Sequence, residues 1–182
     1  GRVSGGVVAG ETTEPSDRLR GAWNLRLFDA GLLVETPLLG GRGDGMVAGK
    51  FGYPGLLLPL FSPHTSLQYW DYQLRVGYRV GERGRVSTFV FGAFDELRDT
   101  AKNLTLLGSE FHRADIRWDQ RLDGDGSLRL ATTLMTDRTR SGTGDEAGEQ
   151  FTSSMLGFGM RFELERDVFG SSDVGKGRLR MG

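Results

Sequence analysis

The sequence predicts an all-β chain, an antiparallel up-and-down meander of about eight strands that forms part of a transmembrane outer-membrane β-barrel. Three observations predict it. Apolar and polar residues alternate with period two over long segments. Glycine is abundant, 29 of 182 residues, and spread along the chain as strands and tight turns require. No run of 18 apolar residues exists, so any membrane crossing falls to strands rather than helices.

The clearest segment runs from Ser66 to Val80. Trp70, Tyr72, Leu74, Val76, Tyr78 and Val80 share one parity, and Tyr69, Asp71, Gln73, Arg75, Gly77 and Arg79 the other. In 153–165, Leu156, Phe158, Met160, Phe162 and Leu164 oppose Gly157, Gly159, Arg161, Glu163 and Glu165. In 108–122, Ala114, Ile116, Trp118 and Leu122 oppose Arg113, Asp115, Arg117, Asp119 and Arg121. In 127–137, Leu128, Leu130 and Leu134 oppose Arg129, Thr133 and Asp137. Near the start, Trp23, Leu25 and Leu27 oppose Arg20, Asn24 and Arg26, after which Leu32, Val34 and Leu38 oppose Glu35. Segments 85–96 and 45–53 are strands whose faces the pattern leaves open, because Phe89, Phe91, Met46 and Ala48 compete with Val86, Val90, Val47 and Phe51.

The connections are read as tight turns at Asp29-Ala30-Gly31, Leu39 to Asp44, Gly81-Glu82-Arg83-Gly84 and Asp123-Gly124-Asp125-Gly126. Longer links are expected at 54–65, 98–106 and 140–150, with a loop preferred to a helical turn across 95–107. From the second strand onward short and long connections alternate, as in outer-membrane barrels with short periplasmic turns and longer outer loops.

A soluble barrel also alternates, but with its apolar side inward. The polar face here carries Asp71, Arg75, Arg79, Arg113, Asp115, Arg117, Asp119, Arg129, Arg161 and Glu163. Charge of both signs suits a watered lumen where Arg and carboxylate pair across strands. The opposite face carries Trp70, Tyr72, Leu74, Val76, Trp118, Leu156, Phe158 and Phe162, which are expected to face lipid, with aromatics near the interfaces. Eight such strands in a soluble sandwich would need a second apolar layer, and no helix pattern supplies one.

Net charge is −1, with 23 basic and 24 acidic residues, so no basic excess points to nucleic acid. The absence of cysteine removes disulfide and thiol chemistry. Two histidines, His64 and His112, make a histidine-rich metal centre a poor reading, and no cofactor or metal is expected. Asp123-Gly124-Asp125-Gly126 lacks the distal ligands of a calcium loop and reads as a hairpin turn. Asn103-Leu104-Thr105 matches a glycosylation acceptor but reads as plain loop. Ser109, His112 and Asp115 suggest a hydrolase triad, but His112 and Asp115 have opposite parity on one strand, so no triad and no enzyme is expected.

Taken in order, the segments resemble the TonB-dependent outer-membrane receptors. Residues Gly1 to Thr12, with Gly5-Gly6-Val7-Val8, look like the end of a plug domain, and residues 22–38 like the first barrel hairpin. Pro37-Leu38-Leu39-Gly40 resembles the first periplasmic turn, while Tyr53-Pro54-Gly55 and Gln68 to Gln73 are similar to a subgroup of receptor-like barrels. The resemblance implies residues 1–18 as plug end and linker and 19–182 as the N-terminal part of an incomplete barrel. It implies a parent protein that takes up a scarce ligand, such as an iron chelate, in a Gram-negative outer membrane, energised by a periplasmic partner. The alternatives are a passive porin, a soluble ligand-binding barrel and, more remotely, a barrel-embedded enzyme. The outer loops are the expected ligand contacts.

Overall fold

The computed structural model describes residues 16–123, 126–142, 150–167 and 178–181. Most of the expected plug end, residues 1–15, lies outside them, as do residues 124 and 125 of the Asp123 turn and 143–149 of the last long link.

One antiparallel sheet runs in chain order from β1 to β9. The strands are β1 Arg20–Leu25, β2 Asp29–Leu38, β3 Gly43–Gly52, β4 Thr65–Val80, β5 Gly84–Asp99, β6 Leu104–Arg121, β7 Ser127–Gly142, β8 Gln150–Asp167 and β9 Arg178–Met181. Every strand pairs with its sequence neighbours, so the topology is a pure meander. The sheet has two edges, β1 and β9, and does not close on itself. β4 to β8 are 16 to 18 residues long, far beyond the ~5–6 of ordinary sheets.

The register aligns the parities across strands. One row on the charged face runs Arg79, Arg85, Asp119, Arg129, Glu163, and the row beside it on the other face runs Tyr78, Val86, Trp118, Leu130, Phe162. The two ambiguous strands are thereby settled. Val86, Val90 and Phe94 join the apolar face, and Phe89, Phe91 and Ala93 the charged one. In β3, Val47 and Phe51 are apolar-side, and Met46 and Ala48 charged-side.

Two connections differ from expectation. The stretch 98–106 is no long link: β5 runs to Asp99 and β6 starts at Leu104, leaving a four-residue turn, 100–103. Asp99 Oδ1 accepts the backbone N–H groups of Ala101 and Lys102, which pins that turn, and Asn103 takes a positive φ of 50°. A register shift between Leu97 and Arg98 disturbs the alternation, which is why the sequence pattern fades there. The first hairpin is tight, but its turn lies at residues 26–28, closed by Arg26 N–H to the Asp29 carbonyl at 2.8 Å. The long link between β3 and β4 stands, with two 3-10 turns at Pro54–Leu56 and Leu58–Leu60.

Burial runs opposite to that of a soluble sheet. Arg75, Asp44 and Glu35 are 6%, 6% and 8% exposed, whereas Phe158, Leu74 and Trp23 are 62%, 43% and 76% exposed. Among the described residues no helix or second sheet covers either face. Side chains of a lone sheet become buried only where the sheet bends them towards one another, so the charged face is the concave one.

Candidate functional site

The concave face is built by side chains that reach over intervening strands. Arg75 on β4 reaches past β3 to Glu35 on β2 at 3.4 Å, and its Nε lies 3.9 Å from Asp44 Oδ2. Arg85 on β5 crosses β4 to donate to Asp44 on β3. The crossing is possible because β4 presents Gly77 at that point, where a Cβ would overlap both the Arg85 guanidinium and the Asp44 carboxylate.

Further along, Arg129 donates from Nε to Asp119 at 2.6 Å and contacts Glu163 at 3.5 Å. Arg161 lies 3.1 Å from Glu163, and Arg117 lies 3.6 Å from Asp115, which accepts from Thr133 Oγ1 at 2.9 Å. Arg113 grips Asp137 with two bonds of 2.8 and 2.9 Å. Lys50 and Asp71, cross-strand partners, approach to 3.8 Å. All ten charged positions singled out in the sequence therefore share the concave face, and nine of them join ion pairs. Arg79 is the tenth, and it lines a cavity of about 770 Å³ at the 81–83 turn end with Arg42, Arg83, Arg85 and Arg121.

The concave face also holds a patch that charge patterning hid. Phe89, Phe91 and Phe111 cluster with centroids 5.0 and 6.1 Å apart, and the Arg113 guanidinium lies 5.4 Å from the Phe111 ring centre. Two apolar parities in β5 made this patch ambiguous by alternation alone; the register resolves it.

The convex face carries all eight positions expected to meet lipid. Trp70 stacks on Phe94 at 5.7 Å and 14°, and Tyr72 lies beside Trp70 at 6.1 Å. Tyr72 shares a hydrogen bond of 3.0 Å with His112 Nδ1 across β5. β5 carries Gly92 there, and a Cβ would meet the His112 ring at 2.6 Å and the Tyr72 ring at 2.9 Å. From the row of Trp70 and Phe94 onward, where β6 and β7 present Glu110 and Arg138, the same face turns ionic. Glu96 contacts Arg140 at 3.2 Å and Arg98 at 3.8 Å, and Glu110 contacts His112 at 3.3 Å and Arg140 at 3.7 Å. The sequence reading missed this belt because it lies where the alternation inverts.

His112 faces the convex side beside Tyr72, while Asp115 bonds Thr133 on the concave side, so Ser109, His112 and Asp115 do not converge. His64 lies in the β3–β4 link, where its carbonyl accepts from Thr100 N–H at 2.8 Å. That link also exposes Leu56, Leu60 and Phe61, an apolar tip that the sequence reading treated only as part of a loop. Asp123 pairs with Arg83. Among the described residues no cluster of three His, Cys, Asp or Glu could hold a metal ion.

Comparison with family models, with curated proteins and with solved structures finds no match to this chain.

Proposed function

We propose that this chain forms part of the wall of an outer-membrane β-barrel of the receptor-transporter kind, with its convex face in lipid and its concave face along a watered passage. A single observation carries the reading: the paired ions Arg75, Glu35 and Asp44 are buried on one face while large apolar side chains stand exposed on the other. In water such a sheet would leave Phe158, Leu156 and Met160 solvated, a losing arrangement for that face. A bilayer outside removes that cost, and water inside solvates the half-exposed pairs such as Arg129–Asp119.

The dimensions support it. On β4 the apolar side chains from Val80 to Trp70 cover about 33 Å of strand, or about 25 Å of depth at a tilt of about 40°, the height of a barrel's apolar band. Aromatic residues mark both margins, Trp70, Tyr72 and Phe94 at one and Trp118, Tyr78 and Phe162 towards the other. The open edges at β1 and β9 call for further strands to close the wall.

Within barrels, the receptor reading rests on the resemblance of the segment order and on the lining. The cavity at the 81–83 end, lined by five arginines and four carboxylates, and the Phe89–Phe91–Phe111 patch give the passage binding surfaces rather than uniform hydration. The ligand would be a scarce solute taken up across the Gram-negative outer membrane, driven by a periplasmic partner of the whole protein. A passive porin shares the wall but has no energised step.

The chain's lack of cysteine makes the test direct. Single cysteines replace Phe158 and Arg117 in the full-length protein in its native membrane. Cys at 158 should react with a lipid-soluble maleimide and resist a charged one, and Cys at 117 should do the reverse. The opposite pattern at both sites refutes the membrane reading. Ligand accumulation abolished by dissipating the energy supply then separates receptor from porin.

A further inference from the structure

We infer that the convex face carries a binding site for the phosphate of an anionic membrane lipid, built by β6, β7 and β8 around Arg138; this rests on the barrel reading above. A cleft of about 490 Å³ opens there, lined among others by Glu110, His112, Thr136, Arg138, Ser154 and Leu156. These six residues occupy consecutive convex-side rows: His112, Thr136 and Leu156 in one, Glu110, Arg138 and Ser154 in the next.

The cleft is amphipathic along the strand axis. Its foot is Leu156, exposed at 80% and continuous with the exposed Leu134, Phe158 and Met160 of the apolar band. Its head offers the Arg138 guanidinium and the hydroxyls of Thr136 and Ser154, all exposed. An acyl chain on the foot and a phosphate at the head match the order of groups in a phospholipid.

The charge balance favours an anion at Arg138. Two carboxylates line the cleft and both are engaged elsewhere: Glu110, the cross-strand partner of Arg138, by Arg140 at 3.7 Å and by the His112 ring at 3.3 Å, and Asp137 by Arg113 at 2.8 Å. Arg140 is shared between Glu110 and Glu96. Among the described residues Arg138 has no carboxylate within 4.0 Å, while the neighbouring ion pairs fix the wall beside it. An exposed guanidinium at the rim of an apolar band, with hydroxyl donors alongside, binds lipid phosphate through charge-assisted bonds.

The test uses the full-length protein inserted in nanodiscs of phosphatidylcholine with one part in ten phosphatidylglycerol. Lipids that stay bound after transfer to a neutral detergent are counted by native mass spectrometry. Wild type should enrich phosphatidylglycerol about fivefold over its share. Arg138→Gln should abolish the enrichment, Arg138→Lys should keep part of it, and Arg161→Gln on the concave face should leave it intact. Free inorganic phosphate should not displace the lipid, because it lacks the acyl chain that fills the foot. Equal retention of both lipids by inserted wild type, or undiminished enrichment in Arg138→Gln, overturns the site while leaving the barrel intact. Displacement by inorganic phosphate alone overturns the lipid assignment. A protein that never enters the disc and remains monomeric in buffer overturns the barrel reading itself.

Discussion

At the scale of single residues, the concave face depends on guanidinium–carboxylate pairs, in which Arg75 and Arg129 each hold two carboxylates. Arg75 is the deepest of them, and Glu35 and Asp44 are buried beside it. Removing one partner of a buried ion pair leaves the other charge desolvated and uncompensated. Arg75→Ala should therefore destabilise the folded protein by about 3–5 kcal/mol, read from urea unfolding in detergent micelles. Gly77 sets a second constraint. A Val at 77 would fill the space through which Arg85 reaches Asp44, so Gly77→Val should cost more than Gly77→Ala, and Arg85→Met should relieve part of the loss. Additive losses in that double variant would dismiss the crossing as incidental. These contacts were only partly legible in the sequence. Alternation placed Arg75 and Asp71 on one face, but a reach over an intervening strand depends on register and on a missing Cβ in the strand between.

At the scale of the element, each long strand is zoned along its length as well as across its faces. β8 passes from Ser154 through Leu156, Phe158, Met160 and Phe162 on one side, and its partner β7 passes from Arg138 to Leu134 and Leu130. The cost of a charge on that side should follow depth. Phe158→Arg, near the middle of the apolar rows, should cost about 2–4 kcal/mol, and Ser154→Arg at the ionic belt about 0–1 kcal/mol. Equal costs at the two positions, measured by reversible unfolding into lipid vesicles, would contradict a bilayer around this face. Zoning also explains what sequence reading achieved. In the apolar rows period two is uninterrupted, so strand identity and facing were plain for Trp70 to Val80 and Leu156 to Leu164. From the row of Phe94 onward the same face carries Glu110, Glu96 and Arg140, and the polar-against-apolar contrast vanishes. The strand ends within 98–106 were consequently taken for part of a link, although pairing continues through Arg98–Thr105 to Asp99–Leu104.

For the whole molecule, the sheet stands without a second layer among the described residues, so the large apolar side chains of its convex face stay exposed. Expressed alone in plain buffer, the chain should aggregate or require micelles, since both edges and the convex face seek partners. A sharp cooperative melt of a monomer in buffer, followed by circular dichroism, would count against this. The meander topology keeps every pairing local, so fold class and strand order were readable from turns and alternation. The curl of the sheet was not, because it builds up over successive strand pairs, alongside ion pairs from β2 to β8, rather than in any one segment.

The hairpin of β5 and β6 rises beyond the Trp70–Phe94 row, with Asp99 five residues past Phe94. With the 81–83 turn on the periplasmic side, as the sequence leads one to expect, the wall forms a parapet about 15 Å tall above the level where lipid ends. A solute would enter a hydrated vestibule well before reaching the bilayer plane, and turn 100–103 would crown it clear of the surrounding sugars and phosphates. A short epitope inserted between Lys102 and Asn103 should consequently be stained by antibody on intact cells, whereas one inserted at Glu82 should be stained only after permeabilisation.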